Sequence, residues 1–268
     1  MIKLSKLGVV MGALAASQAF AADIVPSYEI GTEVYHETYE EQVGGNKFMQ
    51  ETAVMKGVNA SLLLPFSQEH ALRFSARYAQ GQSDYKGRSV TCDAQGMCGY
   101  NSFGSTSFSG LDRKTYDLRA AYEWTAPIAQ HDVTTAFGLG FRDLVDHLDQ
   151  ARGGYRRESQ YVYAHLAIAS RFQLGSGWSL TPQFAYQHLL QGKQNSGGTI
   201  NKQKNGKGVE FSATLARAFA DQSEIRLTPF VRYWKIGDSE SAVNAAGQST
   251  LEPANKTTEL GAKLSYAF

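Results

Sequence analysis

The sequence predicts an all-β fold, a ten-stranded antiparallel transmembrane β-barrel with short periplasmic turns and longer extracellular loops. Three observations support this prediction. Ten segments alternate between apolar and polar side chains, and successive residues of a strand point to opposite faces of a sheet. The connections between the segments alternate between short and long. The number of segments is even, as in bacterial single-chain membrane barrels.

The predicted strands are long enough to cross a membrane. A tilted membrane strand needs about 9–11 residues, and each alternating segment reaches this length. We predict the strands at 27–40, 50–64, 71–82, 114–126, 132–145, 159–174, 178–190, 209–220, 224–236 and 258–268.

The connections distinguish a barrel from a β-sandwich. Brief turns follow the second, fourth, sixth and eighth strands. Longer segments rich in Gly, Ser, Asn and charged residues follow the third, fifth, seventh and ninth, and 42–47 is a short exception on that side. Short periplasmic turns and long outer loops are typical of outer-membrane barrels. A sandwich also has many short strands, but it does not readily produce this one-sided asymmetry.

Residues 1–21 have the layout of a cleaved secretory signal peptide. Lys3 and Lys6 precede an apolar run at 7–16 and small residues at 19–21, as in exported proteins. The run is too short for a transmembrane helix, which takes about 20 residues. Together with the predicted strands, this segment leads us to expect one exported barrel domain over 22–268, located in an outer membrane.

The composition is compatible with a membrane barrel. The mean hydropathy of -0.33 is that of a soluble protein, because alternation spreads the apolar residues of a barrel along the chain. Aromatic residues make up 12% of the chain and there are 26 glycines, which suits strands and tight turns. A net charge of +1 gives no argument for a nucleic-acid partner. We predict no cofactor and no metal site.

The inward face of the predicted strands carries seven acidic and eight basic residues. Barrels of about eight strands are filled by their own side chains, and wide aqueous channels need about 16–18 strands. The lumen is therefore either closed by an interlocked ionic network or forms a narrow conduit or small-ligand pocket. The predicted lumen-lining residues are Glu29, Glu33, Glu37, Arg73, Arg77, Asp117, Arg119, Glu123, Arg142, His165, Arg171, Glu210, Arg226, Arg232, Trp234, Glu259 and Lys263.

The longest connection, 83–113, contains Cys92 and Cys98. A disulfide persists in an exported protein, and this small ring would contribute on the order of 2 kcal/mol by restricting the loop. Two thiols are too few for a zinc site. With Tyr100 and Phe103 nearby, the connection is either a recognition surface or simply a stabilised loop.

A second connection, 191–208, is basic and contains no acidic residue. On the outer face it would bind lipopolysaccharide phosphates or an anionic host polymer. The alternative is a solvated hairpin tip, since lysine is common on surfaces. The four lysines are Lys193, Lys202, Lys204 and Lys207.

A cluster near the end of the fifth strand contains residue types that can act in catalysis. It consists of Asp143, Asp146, His147 and Asp149. Omptin proteases, which also have ten strands, use acidic residues with an Asp–His pair at the outer rim, and a histidine beside carboxylates can act as a base. The omptin sequence pattern does not surround these residues, and no opposed acidic pair is evident. We interpret the cluster as a polar rim and assign no catalytic residues.

The last strand and three further stretches resemble known exported proteins. The final segment, TELGAKLSYAF, alternates and ends on Phe268; it resembles the terminal signal by which the assembly machinery recognises outer-membrane barrels. GLGFRDLVD, GGYRRESQYVYAHL and PFVRYWKIGDSE with EPANKTTELGAKLSYAF together resemble a family of small, about ten-stranded barrels of Gram-negative bacteria. The resemblance implies the fold and the outer-membrane location, and no defined activity.

The leading functional prediction is a non-enzymatic, porin-like barrel with narrow-pore or small-solute transit through its charged lumen. The alternative is a cell-surface adhesin or interaction barrel that acts through 83–113, 191–208 and 237–257. A rim-located hydrolase of omptin-like architecture is the third. The expected partners are outer-membrane lipid and lipopolysaccharide, the barrel assembly machinery during biogenesis, and an extracellular or host ligand.

Overall fold

The computed structural model describes residues 25–93, 98–128 and 131–268, and the predicted signal peptide lies outside them. A 3₁₀ helix occupies Leu148–Gln150, and none of the helices found in the described part is long and apolar enough to cross a membrane. The strands are β1 (Ser27–Val43), β2 (Asn46–Pro65), β3 (His70–Gly87), β4 (Val90–Cys92), β5 (Cys98–Tyr100), β6 (Thr106–Ile128), β7 (His131–Asp146), β8 (Arg157–Gly175), β9 (Trp178–Ser196), β10 (Thr199–Gln203), β11 (Gly206–Ala218), β12 (Glu224–Ile236), β13 (Ala242–Val243), β14 (Ser249–Thr250) and β15 (Ala254–Ala267).

Ten long strands close into an antiparallel barrel, in the order β1, β2, β3, β6, β7, β8, β9, β11, β12 and β15. The closing pair is β1 with β15, whose register runs from Glu29 opposite Ala267 to Gln42 opposite Ala254. β10 extends the β9 hairpin before the chain enters β11. The predicted all-β, ten-stranded antiparallel barrel is confirmed.

The strands continue further on the extracellular side than the sequence predicted. β9 runs to Ser196 and pairs with β10, so most of the predicted 191–208 loop is paired strand. Its tip is Gly197–Gly198, and both glycines have positive φ, a conformation that glycine adopts readily. Likewise β3 and β6 shorten the predicted 83–113 loop to 88–105, which contains the β4–β5 hairpin. Once the strands leave the lipid, both faces are polar, and the alternation no longer marks their ends.

The backbones of Cys92 and Cys98 lie directly opposite each other in the β4–β5 hairpin. Directly opposed residues of antiparallel strands have Cα atoms about 4.5–5.5 Å apart, which is within the range that a disulfide spans. The two side chains lie outside the described part of the structure, and the disulfide stays a prediction.

The outer wall of the barrel is apolar in its middle and aromatic at the periplasmic end. Large apolar side chains such as Leu118 and Leu260 point outwards and are exposed in the isolated chain, as lipid-facing residues are. Trp124, Trp178 and Phe268 lie near the periplasmic turns, where an interfacial aromatic girdle is expected. This wall leaves the opposite face of each strand for the lumen.

Candidate functional site

The inward side chains form three charged layers along the barrel, which we call the periplasmic, central and outer layers. The central layer contains Glu33, Arg77, Asp117, Arg119, Arg142, Glu210, Arg232 and Glu259, all connected by the contacts described below. Its residues come from seven strands. The pairing register of the strands places these inward positions at a similar level along the barrel axis.

Glu259 is the centre of this layer. Its carboxylate accepts hydrogen bonds from Arg142 (2.6 Å), Arg77 (2.8 Å) and Arg232 (3.1 Å). Glu259 and Arg142 each expose only 1% of their side chains, and Glu33 lies 3.3 Å from the Arg77 guanidinium. Buried charges need this degree of pairing, because removing an ion from water costs several kcal/mol.

The remainder of the central layer is organised by Tyr163. Its hydroxyl donates to Asp117 (3.0 Å) and accepts a bond from Arg119 (2.9 Å). Arg119 also reaches Glu210 at 3.2 Å. The four arginines of the layer therefore balance its four carboxylates. Trp234 packs edge-on against Tyr163, with ring centroids 5.1 Å apart, and closes the space beside these ion pairs.

The outer layer fills the barrel towards its extracellular mouth. Arg113 contacts Glu37 and, at 2.7 Å, Glu51. Arg157 contacts Asp146 and lies 3.0 Å from Glu51. The layer also contains Glu41, which lies 2.8 Å from Arg157, and the Tyr39 ring, which stacks near both guanidiniums at 5.1 and 5.5 Å.

Sequence reasoning missed most of the outer layer. Of its charged residues only Glu37 was among the predicted lumen positions. Arg113 falls in a predicted loop, Asp146 in the predicted rim and Arg157 in a predicted connection. The nearest predicted strand begins or ends one or two residues away from each of them. The inward alternation of β6 and β8 continues through Arg113 and Arg157, and extending it would have found both.

The periplasmic layer surrounds an open vestibule of about 390 Å³. Glu29 pairs with Arg226 (2.6 Å) and Lys263 (2.7 Å), and Arg171 pairs with Glu224 (2.5 Å). These basic side chains are 23–36% exposed, more than any arginine of the central layer. Further predicted lumen residues that line this vestibule are Arg73 and Glu123, which pair at 2.5 Å, and His165. Above the vestibule the lumen narrows into the two buried layers.

The rim cluster considered for catalysis is divided among three environments. Asp146 points into the outer layer, where it pairs with Arg157. Asp143 accepts a hydrogen bond from Gln160. His147 lies 3.3 Å from Asp149, and these two residues form no ion pair with the other two in the described structure. The described residues also contain no group of three or more His, Cys, Asp or Glu side chains suited to a metal ion.

The predicted basic patch is also divided. Lys193 and Lys202 lie directly opposite each other on β9 and β10, and both are exposed. The Lys204 ammonium donates a hydrogen bond to Glu240 and thereby holds the pKa of that carboxyl below its usual value. Lys207 is not part of the hairpin tip; it lies on the outer wall in β11.

The β9–β10 hairpin and the 237–253 connection are joined into one extracellular surface. The Asn201 side chain donates hydrogen bonds to the carbonyl oxygens of Glu240 (3.2 Å) and Thr250 (3.1 Å). The Glu240 amide donates to the Lys202 carbonyl at 2.7 Å. We call residues 193–205 and 237–251 the outer platform. It exposes the apolar side chains of Ile200, Val243 and Leu251 as well as lysines.

Comparisons with known proteins agree with this architecture. The family described as Outer membrane protein OpcA matches residues 28–266, whereas no curated protein sequence matches the chain. The outer membrane protease OmpT from Escherichia coli has a similar structure, with a TM-score of 0.59 at 9% identity over 94% of this chain and 99% of that one.

Two other solved barrels are more distant. The transport unit of the autotransporter AIDA-I from Escherichia coli has a TM-score of 0.43 at 8% identity, covering 94% of this chain and 93% of that one. The outer membrane protein OprG from Pseudomonas aeruginosa has a TM-score of 0.40 at 7% identity, covering 91% and 97%. Identities this low concern the fold alone. The family match covers nearly the whole described barrel, and the chain is therefore an outer-membrane protein that belongs to the OpcA family.

Proposed function

We propose that this chain is a non-enzymatic surface interaction protein that binds an extracellular partner through its outer platform. The observation that carries the proposal is the pair of buried charge layers in the lumen. In the outer layer every charged side chain is at most 6% exposed, and the centre of the next layer, Glu259 with Arg142, is 1% exposed.

This packing argues against the leading prediction of solute transit. A hydrated solute would have to separate the ion pairs of the outer layer and the Glu259–Arg142 pair, which are almost fully buried, and breaking a buried pair costs about 3–5 kcal/mol. Arg77, Arg232 and other central-layer residues line the open vestibule at the periplasmic end, whereas none of the outer-layer residues is among its lining. A filled lumen leaves the extracellular surface as the part available for function.

The outer platform has the properties of a binding surface. Val243 is 69% exposed and Leu251 is 52% exposed, although both lie in the 237–253 connection outside the lipid-facing wall. Exposed apolar side chains rimmed by polar groups are typical of interaction sites. The opposed ammonium groups of Lys193 and Lys202 favour a partner that carries negative charge.

Two measurements test the proposal. In planar bilayers the refolded parent protein should give no discrete channel events, and neither should Arg232→Ala. Channel events in the parent that Arg232→Ala abolishes would support the transit hypothesis instead.

In the second measurement, cells that display the parent protein should bind host cells or a polyanion-coated surface. The double variant Lys193→Gln/Lys202→Gln and the double variant Val243→Ser/Leu251→Ser should each bind several-fold less. Lys207→Gln/Lys235→Gln removes the same charge from the wall and is the matched control. Equal binding by all variants would contradict a role for the outer platform.

The hydrolase hypothesis has its own test. A screen for peptide and lipid hydrolysis should show no activity that depends on His147, because its partner in the described structure is the exposed Asp149. Hydrolysis by the parent that His147→Ala abolishes would overturn the non-enzymatic assignment.

A further inference from the structure

Three lysines lie directly opposite one another on three neighbouring strands of the outer wall. Lys207 of β11 is opposite Lys235 of β12, and Lys235 is opposite Lys256 of β15. His188 of β9 continues this row on the other side of Lys207. All four residues occupy outward positions of their strands, and we call them the wall row.

The wall row lies just above the lipid-facing part of the same strands. At a distance of four positions towards the periplasm, the three lysine strands carry Phe211, Val231 and Leu260. These residues are also directly opposite one another, and their exposed fractions are 54%, 36% and 64%. On β15 the distance from Phe268 to Lys256 is about 30 Å along the membrane normal, for a rise of about 3.4 Å per residue and a tilt of about 40°. The apolar band of such barrels is about 25 Å tall, so the lysines reach the level of the outer head groups.

The positive charge of the row is only partly compensated. Like charges directly opposite each other in a sheet are destabilising. Among the described residues, Lys207 and Lys235 have no acidic partner within salt-bridge distance, and Lys256 shares Glu40 (2.8 Å) with Lys47 (2.5 Å). Snorkelling lets each lysine bury its stem and place its ammonium group at the interface, but it does not remove the repulsion between adjacent lysines.

We propose that the wall row binds the phosphate groups of lipopolysaccharide in the outer leaflet. The row presents ammonium groups on strands about 4.8 Å apart, and lysine binds phosphate as a point charge. Clusters of basic residues next to a membrane surface are typical of anionic-lipid recognition. Because the row stands directly over Phe211, Val231 and Leu260, one molecule contacts the wall with its acyl chains and the lysines with its phosphates.

The decisive comparison uses two pairs of opposed lysines. Lys207→Gln/Lys235→Gln removes two charges from the wall row, and Lys193→Gln/Lys202→Gln removes two from the outer platform. Each protein is refolded in neutral micelles, folding is verified by circular dichroism, and purified lipopolysaccharide is titrated while the thermal unfolding midpoint is followed. The wall variant should need at least about tenfold more lipopolysaccharide for half-maximal stabilisation, whereas the platform variant should behave like the parent.

Three further arms complete the test. Lys207→Arg/Lys235→Arg should retain the parent response, because the charge is kept. Lipopolysaccharide from which the lipid A phosphates have been removed should stabilise the parent only weakly. Inorganic phosphate at the same concentration should not replace the lipid. An unchanged response of the Gln wall variant, an equal loss in the platform variant, or full activity of dephosphorylated lipid or free phosphate would each overturn the proposal.

Discussion

Arg142 and Glu259 form an ion pair of 2.6 Å in the centre of the barrel, and each exposes 1% of its side chain. Arg142 belongs to β7 and Glu259 to β15, strands that are not neighbours in the sheet. The pair therefore spans the lumen. Together with the contacts of Glu259 to Arg77 and Arg232, it connects separate parts of the wall at one height.

Replacing Glu259 by glutamine should strongly destabilise the barrel. The substitution leaves Arg77, Arg142 and Arg232 buried around a neutral amide, and breaking a buried pair in this way costs roughly 3–5 kcal/mol. The measurement is the free energy of unfolding in lipid vesicles from a denaturant titration. Lys204→Gln, which removes an exposed partner of Glu240, is the control and should leave this free energy unchanged. A similar stability of Glu259→Gln and the parent would show that the central layer does not hold the barrel together.

The lipid-facing assignment of β15 predicts a depth-dependent cost of arginine. Leu260→Arg and Leu264→Arg, which point outwards near the middle of the strand, should each cost roughly 2–4 kcal/mol. Thr258→Arg lies on the same face closer to the extracellular boundary and should cost about 0–1 kcal/mol. Unfolding in vesicles measures all three. Equal stability of the two leucine variants and the parent would mean that the inside and outside faces are assigned the wrong way round.

The C-terminal aromatic residue should matter more for assembly than for stability. Phe268 exchanges backbone hydrogen bonds with Tyr28 (2.8 and 2.9 Å), and their rings stack with centroids 5.7 Å apart. Phe268→Ala should lower the amount of folded protein in the outer membrane of expressing cells, because the expected terminal signal is lost. Tyr28→Ala removes the same stacking contact but keeps the signal, and it should assemble normally. The two variants should unfold alike in vitro; equal assembly in cells would argue against a signal role.

The sequence predicted the barrel well because the alternation of apolar and polar side chains is a local property of each strand. A strand in a membrane needs this alternation, since one of its faces contacts lipid. Each strand needs its own apolar face, as in Phe211 and Leu227 of β11 and β12, and this pattern is legible without knowing any neighbour. The extracellular strand extensions were not predictable in the same way. At Gln194 and Gln203 both faces are polar, and only pairing between β9 and β10 determines that they are strand.

Residue order along the chain therefore established the ten strands, most inward charges of the central and periplasmic layers, and the outer-membrane location. Only the tertiary structure decided which charges meet. Arg142 and Glu259 are 117 positions apart, and Lys207, Lys235 and Lys256 lie on separate strands whose register brings them into one row. Ion pairing and like-charge apposition depend on distances across strands, and those distances are set when the barrel closes. The buried ion pairs of the lumen and the partly compensated lysines of the outer wall both arise at that step.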